Sequence, residues 1–213
     1  MPGQLVPLKR SRFLRPAVKA DKCLVVLLDV SGSMGSLFSG GRRSKLQVAW
    51  EAFKEELAPR LQGWHLGILL FGTLEPPGVR WLVSPASKIE LENMTPPHPL
   101  GGTPLLEALQ QAFDWIATRA EAGRMIVLTD GVPDGGPAPV LAWARDHRPV
   151  PIDTVGVADT SETGWNPGFL RALSELTGGR FMEVKDAGSL AEAVLMLSPQ
   201  QRPALGTAVP SES

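Results

Sequence analysis

At 213 residues, with 43% apolar residues and a formal net charge of −1, the chain is long enough for one compact domain and short for two. The near-neutral charge gives no support for a nucleic-acid or anionic-membrane partner, and the apolar fraction excludes a disordered chain. A single cysteine, Cys23, excludes an internal disulfide framework and favours a reducing compartment. No apolar run approaches the ~18 residues of a membrane span.

Residues 1–20 carry Lys9, Arg10, Arg12, Arg15 and Lys19 but no apolar stretch followed by a cleavage site, so they read as a basic arm rather than a secretory leader. A cytoplasmic protein without membrane insertion is expected. From Lys22 to Leu28 every position but the first is apolar, as a strand covered on both faces requires. Leu46, Trp50, Phe53, Leu57 and Leu61 then recur at intervals of three and four, which predicts an amphipathic helix over Ser44–Leu61. Trp64–Phe71 is a second buried strand, and Arg80–Val83 a shorter one at an edge. Thr103–Arg119 reads as a helix with Thr103 as N-cap and Pro104 in the first helical position.

The next strand is Met125–Thr129, followed by a helix over Ala138–Asp146 and a strand over Ile152–Val157. Pro167–Thr177 is a helix closed by Gly178 and Gly179. Arg180–Val184 is the last strand, and Ser189 with Glu192 forms a capping-box pattern for a helix reaching Leu197. Residues 199–213 read as a flexible tail. Residues 21–198 therefore make one α/β domain: a doubly wound, mostly parallel sheet with helices on both faces.

Ligands of such sheets bind beyond the carboxyl ends of the strands, where the strand order reverses. After the first strand the chain reads Asp29-Val30-Ser31-Gly32-Ser33-Met34-Gly35. Alternate residues of an extended segment point the same way, so one carboxylate and two hydroxyls converge. Two later segments complete an oxygen set. Gly101-Gly102-Thr103 puts a hydroxyl at a helix start behind two glycines, and Thr129-Asp130-Gly131 puts a carboxylate at a strand end. Hard oxygen donors of this kind suit Mg2+, with Mn2+ or Ca2+ as alternatives.

Other readings of the same residues fit less well. An EF-hand loop wants glycine at its sixth position and glutamate at its twelfth, where Met34 and Gly40 stand. A phosphate-cradling loop wants Gly-Lys-Ser/Thr, and none follows Gly35. The enzymatic alternative is a hydrolase built on the Asp29–Ser33 loop, either metal-dependent or with Ser33 as nucleophile and Asp130 and His147 as partners. Ser31 stands where a nucleophile elbow has its first glycine, however, and too few strands precede Ser33. Cys23 reads as inert packing, His65 and His147 as satisfied or surface groups, and the six tryptophans as core. His98 could border the metal face, and Arg42, Arg43 and Glu75 fall on loops where they would shape partner choice.

Asp29-x-Ser31-x-Ser33, then Gly-Gly-Thr103, then Thr-Asp130-Gly, together resemble the metal-ion-dependent adhesion site of von Willebrand factor A domains, over about residues 20–198. The resemblance implies a Rossmann-like sheet with one antiparallel edge strand, for which Arg80–Val83 is the candidate. It implies direct metal contacts from Ser31, Ser33 and Thr103, with Asp29 and Asp130 binding directly or through water. It further implies a non-enzymatic adaptor whose metal is completed by an Asp or Glu of a partner protein. Small stand-alone, prokaryotic members of the family often work beside AAA+ ATPases or in stress-response clusters, which supplies an expected class of partner. The charge count agrees with such a role: two carboxylates neutralise a divalent ion without saturating it.

Overall fold

The computed structural model describes residues 20–38, 41–57, 65–73, 78–83, 98–157 and 165–197. The expected basic arm, the tail, Glu75 and the end of the first helix at Leu61 lie outside the described residues. Among the described residues, six strands form one sheet: β1 (Ala20–Asp29), β2 (His65–Thr73), β3 (Gly78–Val83), β4 (Ala120–Thr129), β5 (Ile152–Val157) and β6 (Phe181–Val184). Their order is β3-β2-β1-β4-β5-β6. All neighbours run parallel except β3, which is antiparallel to β2 at the edge. The helices are α1 (Lys45–Glu51), α2 (Leu105–Arg119), α3 (Pro137–His147), α4 (Pro167–Thr177) and α5 (Ala187–Leu197).

The run in β1 explains the layers. Side chains alternate across a strand, so Leu24, Val26 and Leu28 face one core with α1 and α5, while Cys23, Val25 and Leu27 face another with α2, α3 and α4. Burial pushes the Cys23 thiol up to about 12, consistent with its reading as unreactive packing. No helix among the described residues is long and apolar enough to cross a membrane.

Four boundaries differ from expectation. The first helix runs as α1 only to Glu51 and continues as wider π turns over Ala52–Leu57, with Phe53 and Leu57 still buried. The β4 strand starts five residues before Met125, because Ala20 and Lys22 of β1 pair with Ala120 and Ala122 despite the polar character of that stretch. Thr103 is not the N-cap of α2: Pro104 holds that position, while the Thr103 carbonyl accepts from the Leu105 N–H at 2.7 Å. The α5 cap is Asp186 rather than Ser189. Asp186 Oδ1 accepts from the Ser189 N–H at 2.8 Å, and the Ser189 hydroxyl receives the Asp186 N–H at 3.2 Å. The Ser189 N–H, with the Ser189 hydroxyl and the Gly188 N–H, holds the Asp186 carboxyl below its ordinary value.

At the end of the sheet opposite the strand carboxyl termini, buried Asp153 of β5 accepts from the Arg124 guanidinium and from the Arg180 N–H, the latter at 2.8 Å. Next to Arg180, Gly179 lies against β5 so closely that a Cβ there would run into the Ile152 carbonyl. Gly179→Ala should therefore lower unfolding stability by about 3 kcal/mol through displaced backbone. Urea denaturation would show this as an earlier midpoint, and an unchanged midpoint would contradict the packing described.

Candidate metal centre

The chain leaves β1 to a helix on one face and leaves β4 to a helix on the other, so the carboxyl ends of these adjacent strands border the crevice where strand order reverses. Asp29 ends β1 and Asp130 follows β4. A short 3-10 turn over Gly32–Gly35 carries Ser33, and Met34 anchors that turn by complete burial. Two glycines let the neighbouring loops close in. Gly72, at the end of β2, has φ +96°, and a Cβ there would press on the Ser31 nitrogen at 2.7 Å and the Gly102 oxygen at 2.8 Å. Any other residue would be strained at that φ and would wedge the loops apart. A Cβ on Gly102 would strike the Asp134 carboxylate.

Four of the five sequence-predicted ligands form one chain of contacts. Asp29 Oδ1 accepts from the Ser31 N–H at 2.8 Å. The Ser31 and Ser33 hydroxyl oxygens lie 3.1 Å apart, and Ser33 Oγ donates to Asp130 Oδ1 at 2.8 Å. Thr103 sits beside this chain. Its hydroxyl oxygen is 3.6 Å from where a Cβ on Gly131 would be, and its backbone N–H donates to Asp134 Oδ2 at 3.0 Å. Asp29 is 0% exposed and Asp130 4%, whereas Ser33 is exposed at the mouth.

These separations fit a small divalent ion. Adjacent oxygens around an octahedral ion at 2.0–2.1 Å stand about 2.9 Å apart, and the Ser31–Ser33 and Ser33–Asp130 pairs at 3.1 and 2.8 Å match that edge. Among the described residues, no group of three or more His, Cys, Asp or Glu side chains is placed to hold a metal. A centre here would draw its remaining donors from hydroxyls, as the sequence motif has it.

Three contributors lie outside the five predicted ligands. Thr129 Oγ1 donates to Asp29 Oδ2 at 2.5 Å and accepts from the Gly131 N–H at 3.2 Å. Asp134 ties the Thr103 segment to the loop after β4. Lys45, at the start of α1, is buried, and its ammonium donates to Asp130 Oδ2 at 2.9 Å. A signal for Lys45 exists in the sequence: a cation in the first turn of a helix opposes the helix dipole, so a lysine there calls for a carboxylate partner.

The hydrolase geometry is not assembled around Ser33. His147 closes α3, with Nδ1 3.0 Å from the Trp143 carbonyl and its ring stacked on Trp143. The 11 residues of α3 span about 16 Å, which separates His147 from the Asp130 end. His98 is exposed, and Arg43 pairs with Glu51 on the surface.

Burial raises the Asp29 carboxyl to about 7, and nearby Asp130 adds to the rise, against the hydroxyls of Thr129 and Ser31 and the Ser31 N–H, which lower it. The folded metal-free protein thus holds a proton that the unfolded chain has released above pH ~4. The stability contributed by protonated Asp29 is complete below that pH and is lost as pH rises through about 7. In EDTA, wild type should lose about 2–4 kcal/mol relative to Asp29→Asn between pH 4 and 8. Parallel stability curves for the two proteins would contradict a buried, proton-holding Asp29.

Comparison with known proteins bears on the fold and the family. The family model of the von Willebrand factor type A domain matches residues 24–132, just over half of the chain. The human von Willebrand factor A domain-containing protein 3A is 27% identical over 185 residues, which cover 82% of this chain but 14% of that protein. Among solved structures, the conserved hypothetical protein BatB from Bacteroides thetaiotaomicron superposes with a TM-score of 0.62 at 18% identity, covering 82% of this chain and 95% of that one. The SpRpn10 VWA domain gives 0.61 at 11% identity, with coverages of 81% and 93%. The ArnB paralog VWA2 from Sulfolobus acidocaldarius gives 0.59 at 20% identity, with coverages of 85% and 46%. Sheet order, the antiparallel edge strand and the family match lead to one conclusion: the chain belongs to the von Willebrand factor type A domain family.

Proposed function

We propose that this domain is a divalent-metal-dependent protein-binding adaptor. Ser31, Ser33 and Thr103 would offer hydroxyls to the ion and Asp29 and Asp130 carboxylates, directly or through water. The observation that carries the reading is the convergence of Asp29, Ser31, Ser33 and Asp130 in one run of contacts beyond the ends of β1 and β4, with Thr103 beside it. When bound, Mg2+ (or Mn2+ or Ca2+) supplies an electrophilic contact for an Asp or Glu carboxylate of a partner protein. The residues do the rest: buried Asp29 and Asp130 fix the base of the site, and exposed Ser33 leaves its mouth open to an approaching group.

The rim supports a protein rather than a small anion as the occupant. Leu37 and Leu100 are 62% and 51% exposed. Leu37 follows the Ser33 turn, and the Leu100 N–H is bonded to the Val30 carbonyl at 2.9 Å, so both flank the motif loops. Apolar side chains beside a polar centre are what a macromolecular partner covers. An AAA+ ATPase or a stress-response complex is the partner class carried over from the family resemblance, with a cytoplasmic setting.

Two outcomes test the proposal. Asp29→Ala should abolish Mg2+ binding by calorimetry and metal-dependent partner capture from the native cell, with an unchanged far-UV spectrum. Capture that survives both EDTA and this substitution would remove the metal from the mechanism. Because the ion must displace the Asp29 proton, Mg2+ affinity should be about tenfold weaker at pH 6 than at pH 8. A flat profile would contradict an Asp29 that must lose a proton for the ion to bind.

A further inference from the structure

Lys45 is one of the largest fully buried side chains among the described residues, and it is a cation placed against a carboxylate of the candidate metal centre. Its position is built, not incidental. The Lys45 N–H donates to the Ser36 carbonyl at 3.0 Å, and the Phe38 N–H to the Arg43 carbonyl at 3.0 Å, so the segment after the Ser33 turn folds back and delivers Lys45 under the site. Ser44 then caps α1, its hydroxyl accepting from the Gln47 N–H at 3.1 Å and its own N–H bonded to Gln47 Oε1 at 2.9 Å. This fixes the residue from which the lysine projects.

We infer that Lys45 is a positioning and selectivity residue of the metal centre, holding Asp130 by Oδ2 and offsetting one carboxylate charge so that the loaded site demands an anionic group from its partner. The inference rests on the metal-dependent reading above and deepens it. Asp130 has two oxygens with separate duties: Oδ2 faces Lys45 and Oδ1 faces Ser33 and the mouth. The carboxylate is thereby oriented edge-on, with one oxygen left for the ion or for a water on it. Two carboxylates alone would leave a divalent ion neutral. With a buried ammonium beside them, the loaded centre keeps one positive charge in a poorly solvated place, where a charge without a partner is costly. An incoming carboxylate neutralises it, whereas a neutral amide or hydroxyl does not. The same ammonium repels the ion, so Lys45 trades metal affinity for partner selectivity.

The test compares wild type with Lys45→Arg, Lys45→Gln and Lys45→Met. Arginine keeps the charge, glutamine keeps a hydrogen bond to Asp130 without charge, and methionine keeps only length. Mg2+ titrated by calorimetry should bind Lys45→Gln and Lys45→Met about tenfold more tightly than wild type, and Lys45→Arg like wild type. Acetate titrated into the Mn2+-loaded proteins, followed by water-proton relaxation, should bind Lys45→Gln about tenfold more weakly than wild type. Equal or weaker Mg2+ binding by both uncharged variants, or unchanged acetate binding, overturns the inference while leaving the metal reading intact. Absence of Mg2+ binding in wild type ends the metal-dependent reading and the inference with it, whatever the variants do. Should the uncharged variants be unfolded without metal, recovery of the native far-UV spectrum on adding Mg2+ supports the inference, and failure to recover counts against it.

Discussion

Two carboxylates meet at the buried end of the sheet, and nearly everything distinctive about the molecule manages their charge. Asp29 and Asp130 sit at the ends of the adjacent strands β1 and β4, almost without solvent. Like charges so placed cannot both stay ionised without compensation. The structure compensates them differently. Asp130 has the Lys45 ammonium and the Ser33 hydroxyl; Asp29 has the Thr129 hydroxyl and the Ser31 amide, and burial still raises its carboxyl to about 7. A divalent cation bound there would let both carboxylates ionise together, which supports the proposed metal centre over a plain strand-to-helix turn.

The rest of the fold holds that meeting point rigid. The two cores grip the alternate faces of β1, so the strand that presents Asp29 has little freedom to slide. Parallel neighbours on both sides lock its register, with Asp29 opposite Phe71 of β2 and Leu28 opposite Leu128 of β4. The Val30 N–H on the Phe71 carbonyl at 2.8 Å and the Gly32 N–H on the Gly101 carbonyl at 3.3 Å then carry the order of the sheet into the motif loop. Function sits on loops, but these loops are pinned to strand ends.

Much of this was legible in the sequence, for identifiable reasons. The buried strands β1 and β2 and the second half of β4 announce themselves as apolar runs, and the alternation of strands and helices dictates the layered sheet. The motif residues could be grouped because their segments all follow predicted strand ends or open a predicted helix. The failures share a cause: they depend on contacts distant in sequence or on local competition between caps. The polar first half of β4 is a strand because β1 lies beside it. Thr103 and Ser189 are both chemically able to cap a helix, yet Pro104 and Asp186 hold the capping positions. The unfavourable place of Lys45 in the first turn of α1 hints at a carboxylate partner, but the sequence does not name Asp130 as that partner, because an irregular fold-back, not a regular period, brings the two together.

The central claim is that oxygens from the β1 loop, the Thr103 loop and the β4 end surround one divalent ion. The most direct measurement is anomalous X-ray diffraction from crystals of the full chain soaked in Mn2+. The account predicts one peak beyond the ends of β1 and β4, with the hydroxyl oxygens of Ser31, Ser33 and Thr103 about 2.2 Å away and Lys45 still on the far oxygen of Asp130. No peak at saturating Mn2+, with Ser33 still bonded to Asp130, would contradict it.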